Sequence, residues 1–172
     1  MVRHALAIAL LLLASALPAW ALEGLTPRQE AALESTVARF DRAMRAENYS
    51  ALFDFTPPKV RAEIARQYGV SQSRIKREMS RQVRAATAAM TIEDFEMHMN
   101  RAQARTLRDG TPYVVIPNRT RVRAGGKVTT VRSHAIAILD GGRWYLIRAK
   151  EQQQIQILRR AYPAFAGVRL PR

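Results

Sequence analysis

Residues 111 to 149, TPYVVIPNRTRVRAGGKVTTVRSHAIAILDGGRWYLIRA, hold three strand-like runs broken by two glycine pairs, Gly125-Gly126 and Gly141-Gly142. Glycine takes positive φ at low steric cost, and the two-residue turns it makes match the twist of flanking antiparallel strands. The stretch therefore reads as a three-stranded meander. Working backwards from it, the apolar period is two from Thr91, where Phe95, Met97 and Met99 alternate with Glu96, His98 and Asn100. That pattern predicts a further strand, running to Leu107 before Asp109-Gly110 turns the chain, and hence a sheet of at least four antiparallel strands.

Two-residue turns fix a register, and a slip of one residue would exchange the faces of every side chain. Around Gly125-Gly126, Arg123 opposes Val128, Arg119 opposes Arg132 and Val115 opposes Ile136. Around Gly141-Gly142, Leu139 opposes Trp144 and Ala137 opposes Leu146. Around Asp109-Gly110, Glu96 opposes Arg123, His98 opposes Arg121 and Asn100 opposes Arg119. One face then carries Met97, Val114, Ile116, Ala137, Trp144 and Leu146 and reads as the core. The other has arginines at one end and an apolar patch of Tyr113, Val115, Ile136, Ile138, Tyr145 and Ile147 at the other.

Further upstream the period becomes helical. Thr26-Pro27 opens a first helix with Leu33, Val37, Phe40 and Met44 on one stripe, ending near Asn48. Tyr49 to Phe55 reads as a short apolar turn. A second helix follows Thr56-Pro57-Pro58 and stops at Gly69. Ser71 caps a third, whose Ile75, Met79, Val83 and Ala86 face inward while Arg74, Lys76, Arg77, Arg81 and Arg84 crowd its surface. Past the meander, Ile155, Leu158 and Tyr162 predict a short C-terminal helix ended by Pro163. The fold class is α+β, with three N-terminal helices packed on a curved antiparallel sheet.

That order of elements resembles the nuclear transport factor 2-like superfamily, the cystatin-like α+β group that includes the ketosteroid-isomerase-like domains. The resemblance covers about residues 25 to 150 and is carried by Gly110-Thr111-Pro112-Tyr113, Ile116-Pro117-Asn118 and Asp140-Gly141-Gly142-Arg143-Trp144-Tyr145, which look like small exported members. It implies a cone-shaped pocket between helices and sheet, and a homodimer through the outer sheet face, here the Tyr113, Val115, Ile136, Ile138, Tyr145 and Ile147 patch. A fold of this kind hosts many functions and assigns none.

The chain opens with Arg3 and His4, an apolar run from Ala5 to Leu17, and Ala19-Trp20-Ala21, the layout of a secretory signal cleaved after Ala21. The run is too short to cross a bilayer, which takes about 20 apolar residues. Residues 22–172 are expected to form one α+β domain in the periplasm, or secreted, and not to span a membrane. There is no cysteine, hence no disulfide framework and no lipid-modified residue after the signal.

The formal charge is +14, and 24 of the 28 basic residues are arginine. Arginine's planar fork suits carboxylate and phosphate, so the excess is one sign of an anionic partner. The basic residues are scattered, however, which favours solvated faces over a nucleic-acid interface. The patch of Arg119, Arg121, Arg123 and Arg132, with the basic third helix, leaves an acidic polymer or a membrane surface as a weaker alternative.

No zinc-protease, P-loop, dinucleotide or serine-elbow signature occurs, and nothing calls for a cofactor or metal. His98, beside Glu96, reads as a surface histidine or a proton shuttle. On the core face the register aligns Arg101, Asn118 and Ser133 in one row, with Gln103 and Arg148 in the next. Buried polar groups cost free energy unless paired, so these five mark a ligand pocket, and its arginines select an anion. The competing reading has Arg101 and Arg148 snorkelling to water at the sheet edges or pairing with acids of the helical half. Isomerase-like members of the superfamily place a carboxylate in the pocket as general base, a role open here to Asp54 or Asp94. Nearby arginines would lower such a carboxylate's pKa, the wrong direction for a base at neutral pH. The preferred expectation is a non-catalytic binding or interaction module with an arginine-lined pocket; the alternative is a small acid-base isomerase, dehydratase or cyclase.

Overall fold

The computed structural model describes residues 22–148 and 151–171, the side chain of Ala86 excepted, so the expected export signal lies outside the described residues. It is an α+β fold with a curled antiparallel sheet. Helix α1 spans Pro27–Arg45. Thr26 Oγ accepts the Gln29 N–H at 3.2 Å and Gln29 Oε1 accepts the Thr26 N–H at 2.9 Å, a reciprocal cap that satisfies two otherwise orphaned donors. Leu33 and Val37 of its stripe are buried, and Phe40 meets Phe55 edge-on at 5.3 Å.

Tyr49–Asp54, expected as a turn, is a helix of its own, α2. Asn48 caps it by accepting the Ala51 N–H, and Glu47, at φ 51, breaks the path from α1. With α3 at Pro58–Tyr68 and α4 at Gln72–Thr87, four described helices precede the sheet where three were expected. α4 packs mainly on α2 and α3. That support is narrow: Ile75 is buried, but Met79 and Val83, expected to face inward, are each 36% exposed.

The sheet order is β1 (Thr91–Met97), β3 (Pro112–Ala124), β4 (Lys127–Asp140), β5 (Arg143–Ile147), with β2 (Gln103–Thr106) also paired to β3. Both glycine turns give the expected register, Arg123 to Val128 through Val115 to Ile136, and Leu139 to Trp144. The strand predicted from Thr91 to Leu107 is instead two strands around a 3-10 turn at Met99–Arg101. The turn takes residues off the ladder, so β1 is displaced by four positions and Glu96 opposes Arg119, not Arg123. An even displacement keeps the faces.

β2 differs from the expectation by a single residue. The Leu107 N–H donates to Thr111 O and the Gly110 N–H to Leu107 O, which closes a three-residue loop where two were assumed. Gln103 therefore opposes Val115, and β2 turns its side chains to the other face.

Both faces of the sheet are covered. On one, Val114, Ile116, Ala137, Trp144 and Leu146 pack under Leu33 and Val37 of α1, and Trp144 Nε1 donates to Gln29 O at 2.8 Å. On the other lie Val60 of α3, helix α5 (Gln152–Ala161), the turn Pro163–Phe165 and the C-terminal tail. These bury Tyr113, Val115, Ile136 and Ile138 to 7% exposure or less and half-bury Tyr145 and Ile147. The patch expected to hold a second copy is thus occupied by this chain's own C-terminal elements. Ile157, Leu158 and Phe165 supply more apolar surface than a short solvent-facing helix would need, which is why they dock there.

Candidate anion site under the C-terminal tail

The sheet fixes the site first. Pro117 of β3 and His134 of β4 oppose each other one step beyond the buried Val115–Ile136 pair, on the face covered by the tail. The one-residue slip of β2 brings Gln103 and Arg105 to that face, opposite Val115 and Tyr113. The 3-10 turn adds Arg101. Arg169, Leu170 and Pro171 return over them, held by contacts of Val168 and Leu170 with the core and by Arg159, which donates to Val168 O at 3.2 Å. These residues line a half-open cleft of about 390 Å³, in which Arg101, Gln103, Arg105 and Arg169 are themselves exposed.

Its floor is apolar, from Val115, Pro117, Leu170 and Pro171, and its described polar lining is three guanidinium groups, an imidazole and the Gln103 amide, with no carboxylate among the described residues. Among the described residues none of Arg101, Arg105 and Arg169 joins an ion pair, whereas Arg119, Arg121 and Arg123 all do. Arg105 donates to Gln103 Oε1 at 2.9 Å, which orients its guanidinium along the wall. His134 Nδ1 is buried with no hydrogen-bond partner, an arrangement that costs about 1–3 kcal/mol unless a further group satisfies it.

Of the five pocket residues expected from sequence, Arg101 and Gln103 line this cavity. Asn118 and Ser133 lie on the opposite face and satisfy each other, Ser133 Oγ donating to Asn118 Oδ1 at 2.6 Å. Arg148 is exposed just past β5 and is not part of the lining. Of the expected polar row, only the Asn118–Ser133 pair stands on the α1 face. Arg105, His134 and Arg169 were missed. The run Arg101-Ala102-Gln103-Ala104-Arg105 already carried a signal, since its period of two places the three polar residues together and the alanines opposite; Ala102 and Ala104 do pack on the α1 side.

The other expected sites take different roles. Arg119 donates to Asp94 at 3.0 Å and to Glu96 at 2.9 Å, and Arg121 and Arg123 share Glu93. The surface patch is thereby neutralised by β1, with Arg132 alone of the four outside the described ion pairs. Asp54 is exposed and held by Lys76 at 2.8–2.9 Å, with Arg61 at 3.9 Å, and Asp94 is held by Arg119. Neither carboxylate lines the cavity, so neither is placed as a general base. His98 sits before the 3-10 turn, its Nδ1 3.3 Å from Glu96 and its backbone N–H bonded to Pro117 O. No described helix is long and apolar enough to cross a membrane. No protein-family model matches the chain, and no curated protein matches it.

Proposed function

We propose that this protein is an exported, non-catalytic binding module that takes a small organic anion in the cavity between β2, β3, β4 and the C-terminal tail. The observation that carries the reading is the set of three arginines, Arg101, Arg105 and Arg169, which among the described residues join no ion pair and line an apolar floor with no carboxylate. Guanidinium groups bind carboxylate or phosphate oxygens in pairs, while Val115, Pro117 and Leu170 suit a hydrocarbon part. A volume of about 390 Å³ lies at the small end of ligand pockets. Helices followed by a curled antiparallel sheet support placing the chain with the nuclear transport factor 2-like proteins, although the cavity lies under the tail instead of under α1.

Calorimetry of the purified protein against short monocarboxylates, dicarboxylates and phosphate monoesters tests the reading. Binding is expected to favour acids with an apolar portion, to weaken with salt, and to be lost in the Arg101→Ala, Arg105→Ala double variant. Affinity unchanged by that variant, or no affinity across the panel, would sink it.

A further inference from the structure

We propose that two copies of this chain pair edge to edge along β4, adding strand to strand about a two-fold axis at Thr130. The argument starts from the hairpin turn. A two-residue turn at Gly125-Gly126 makes Ala124 and Lys127 a hydrogen-bonded pair, so Lys127 and every second residue after it bond to β3. The backbone groups of Val128, Thr130, Arg132 and His134 point the other way. By the same parity Ile136, Ile138 and Asp140 point to β5, and these residues do pair with Ile147, Tyr145 and Arg143. β5 ends at Ile147, and among the described residues nothing pairs with β4 from Lys127 to Ala135 on that side.

Every other edge is blunted. β1 carries a bulge between Ile92 and Asp94 and three acids, Glu93, Asp94 and Glu96. β2 has four residues. β5 donates its Leu146 N–H to Phe55 O at 2.8 Å, so the α2–α3 connection covers it. The free part of β4, KVTTVRSHA, has no proline, no acid and no bulge; it carries Lys127 and Arg132 and is rich in the β-branched residues that strands favour. An unpaired edge of this kind is a template for another strand that sets no like charge against its two cations.

The occupant follows from self-complementarity. A two-fold pairing is antiparallel, and an axis at Thr130 opposes Thr130 to its own copy and Val128 to Arg132. Each of these three pairs exchanges two bonds, giving about six backbone hydrogen bonds. On the other face Thr129 meets Val131 and Lys127 meets Ser133, so no like charges oppose, and Thr–Thr is a favourable cross-strand pair. Moving the axis to Val131 would engage His134 as well, but it would set Gly126 of one copy opposite Ile136, whose edge Ile147 of β5 already holds; the Thr130 axis leaves Gly126 opposite His134, short of β5.

The chain has no cysteine, so a single introduced thiol reports the geometry. In Thr130→Cys the two thiols face each other across the axis within disulfide reach, and mild oxidation is expected to link them at least tenfold faster than in Ala62→Cys, on the exposed side of α3. Light scattering at roughly 0.1 mM, a concentration suited to a small edge interface, should give twice the chain mass for the native protein. Thr130→Pro removes an edge-facing N–H and no bond to β3, and it should halve that mass while circular dichroism is kept. A monomeric native protein, a dimer that persists in Thr130→Pro, or equal linking of both cysteine variants would overturn the proposal. If Thr130→Pro fails to fold, the cysteine pair decides by itself.

Discussion

Two groups of arginines flank the β3–β4 hairpin, and their surroundings differ. Towards the glycine turn, Arg119, Arg121 and Arg123 stand opposite β1, whose Glu93, Asp94 and Glu96 pair with all three. Towards β2 and the tail, Arg101, Arg105 and Arg169 line one cleft with Pro117 and His134, and none of its described lining residues is acidic. A basic patch on an open strand is cheap to neutralise, because the neighbouring strand supplies acids at the matching register. A basic cleft beside the tail has no acid-bearing strand next to it among the described residues. The number of arginines therefore says little about anion binding, and what each one faces says nearly all of it.

The largest expected effect breaks the comparison by removing the tail. Phe165 is fully buried, with its ring 5.1 Å from Tyr113 and 6.4 Å from Tyr162. Truncating it to alanine should cost about 3–5 kcal/mol, read from chemical denaturation. Hydrogen exchange in the variant should rise first in α5 and the strand residues beneath it, while the α1 face stays protected. Anion binding should vanish with the tail. Equal loss of protection on both faces would show that the two covers are not separable.

Next come the arginines themselves. Arg101→Ala or Arg105→Ala each removes a charge-assisted bond to the ligand, worth about 1.5–3 kcal/mol, and should weaken binding by tenfold or more. Arg121→Ala removes the same charge from the neutralised end and should change affinity less than twofold. Calorimetry on the three variants with one ligand makes the contrast. Similar losses in all three would mean that net charge, and not the cavity, attracts the anion.

Most of the fold was legible because it is written in local signals: Thr26-Pro27 and Ser71 as helix starts, period two in the strands, and glycine pairs whose turns have one geometry. The site was half legible, for a reason of parity. Asp109-Gly110 belongs to a three-residue loop, and that single residue moved Gln103 across the sheet and detached it from Asn118 and Ser133. The 3-10 turn at Met99–Arg101 has no sequence mark comparable to a glycine pair. Arg169 reaches the cavity through a long-range return of the chain, directed by Phe165 and Leu170 packing on a face whose cover no strand pattern specifies. The apolar outer patch reads in the sequence as the surface for a second copy; α5, the Pro163–Phe165 turn and the tail of the same chain cover it instead.

The clamp that holds α5 should respond to acid. Glu63 is nearly buried and accepts hydrogen bonds from Arg66 of its own helix and from Arg160 of α5. Those bonds, Arg66's first, hold its carboxyl below the usual 4.5 against the opposing effect of burial. A carboxyl with a lowered folded pKa contributes stability that is fully present above its unfolded value and is lost as pH falls through the folded one. Thermal melts from pH 7 to pH 3 should therefore show the native protein approaching Glu63→Gln as acid is added. A gap between the two that stays constant with pH would assign Glu63 a packing role only.

The smallest effect belongs to the end that is already neutral, and it sharpens the comparison from the other side. Arg119 and Asp94 are 38% and 32% exposed, so water screens the pair and its long side chain loses rotamer freedom in forming it. A double-mutant cycle on Arg119→Ala and Asp94→Ala should give a coupling of about 0.2–1 kcal/mol, with Glu96 taking part of the arginine's interaction in the Asp94 variant. Raising the salt should shrink it, since the Debye length falls from about 10 Å at 0.1 M to about 3 Å at 1 M. The pairs would then be what their setting suggests, acids placed to cancel arginines on an open strand and to guard the β1 edge, with little share in stability. A coupling well above 1 kcal/mol that survives salt would mean that this end is desolvated, and the contrast between an unneutralised basic cleft and a neutralised patch would have to be redrawn.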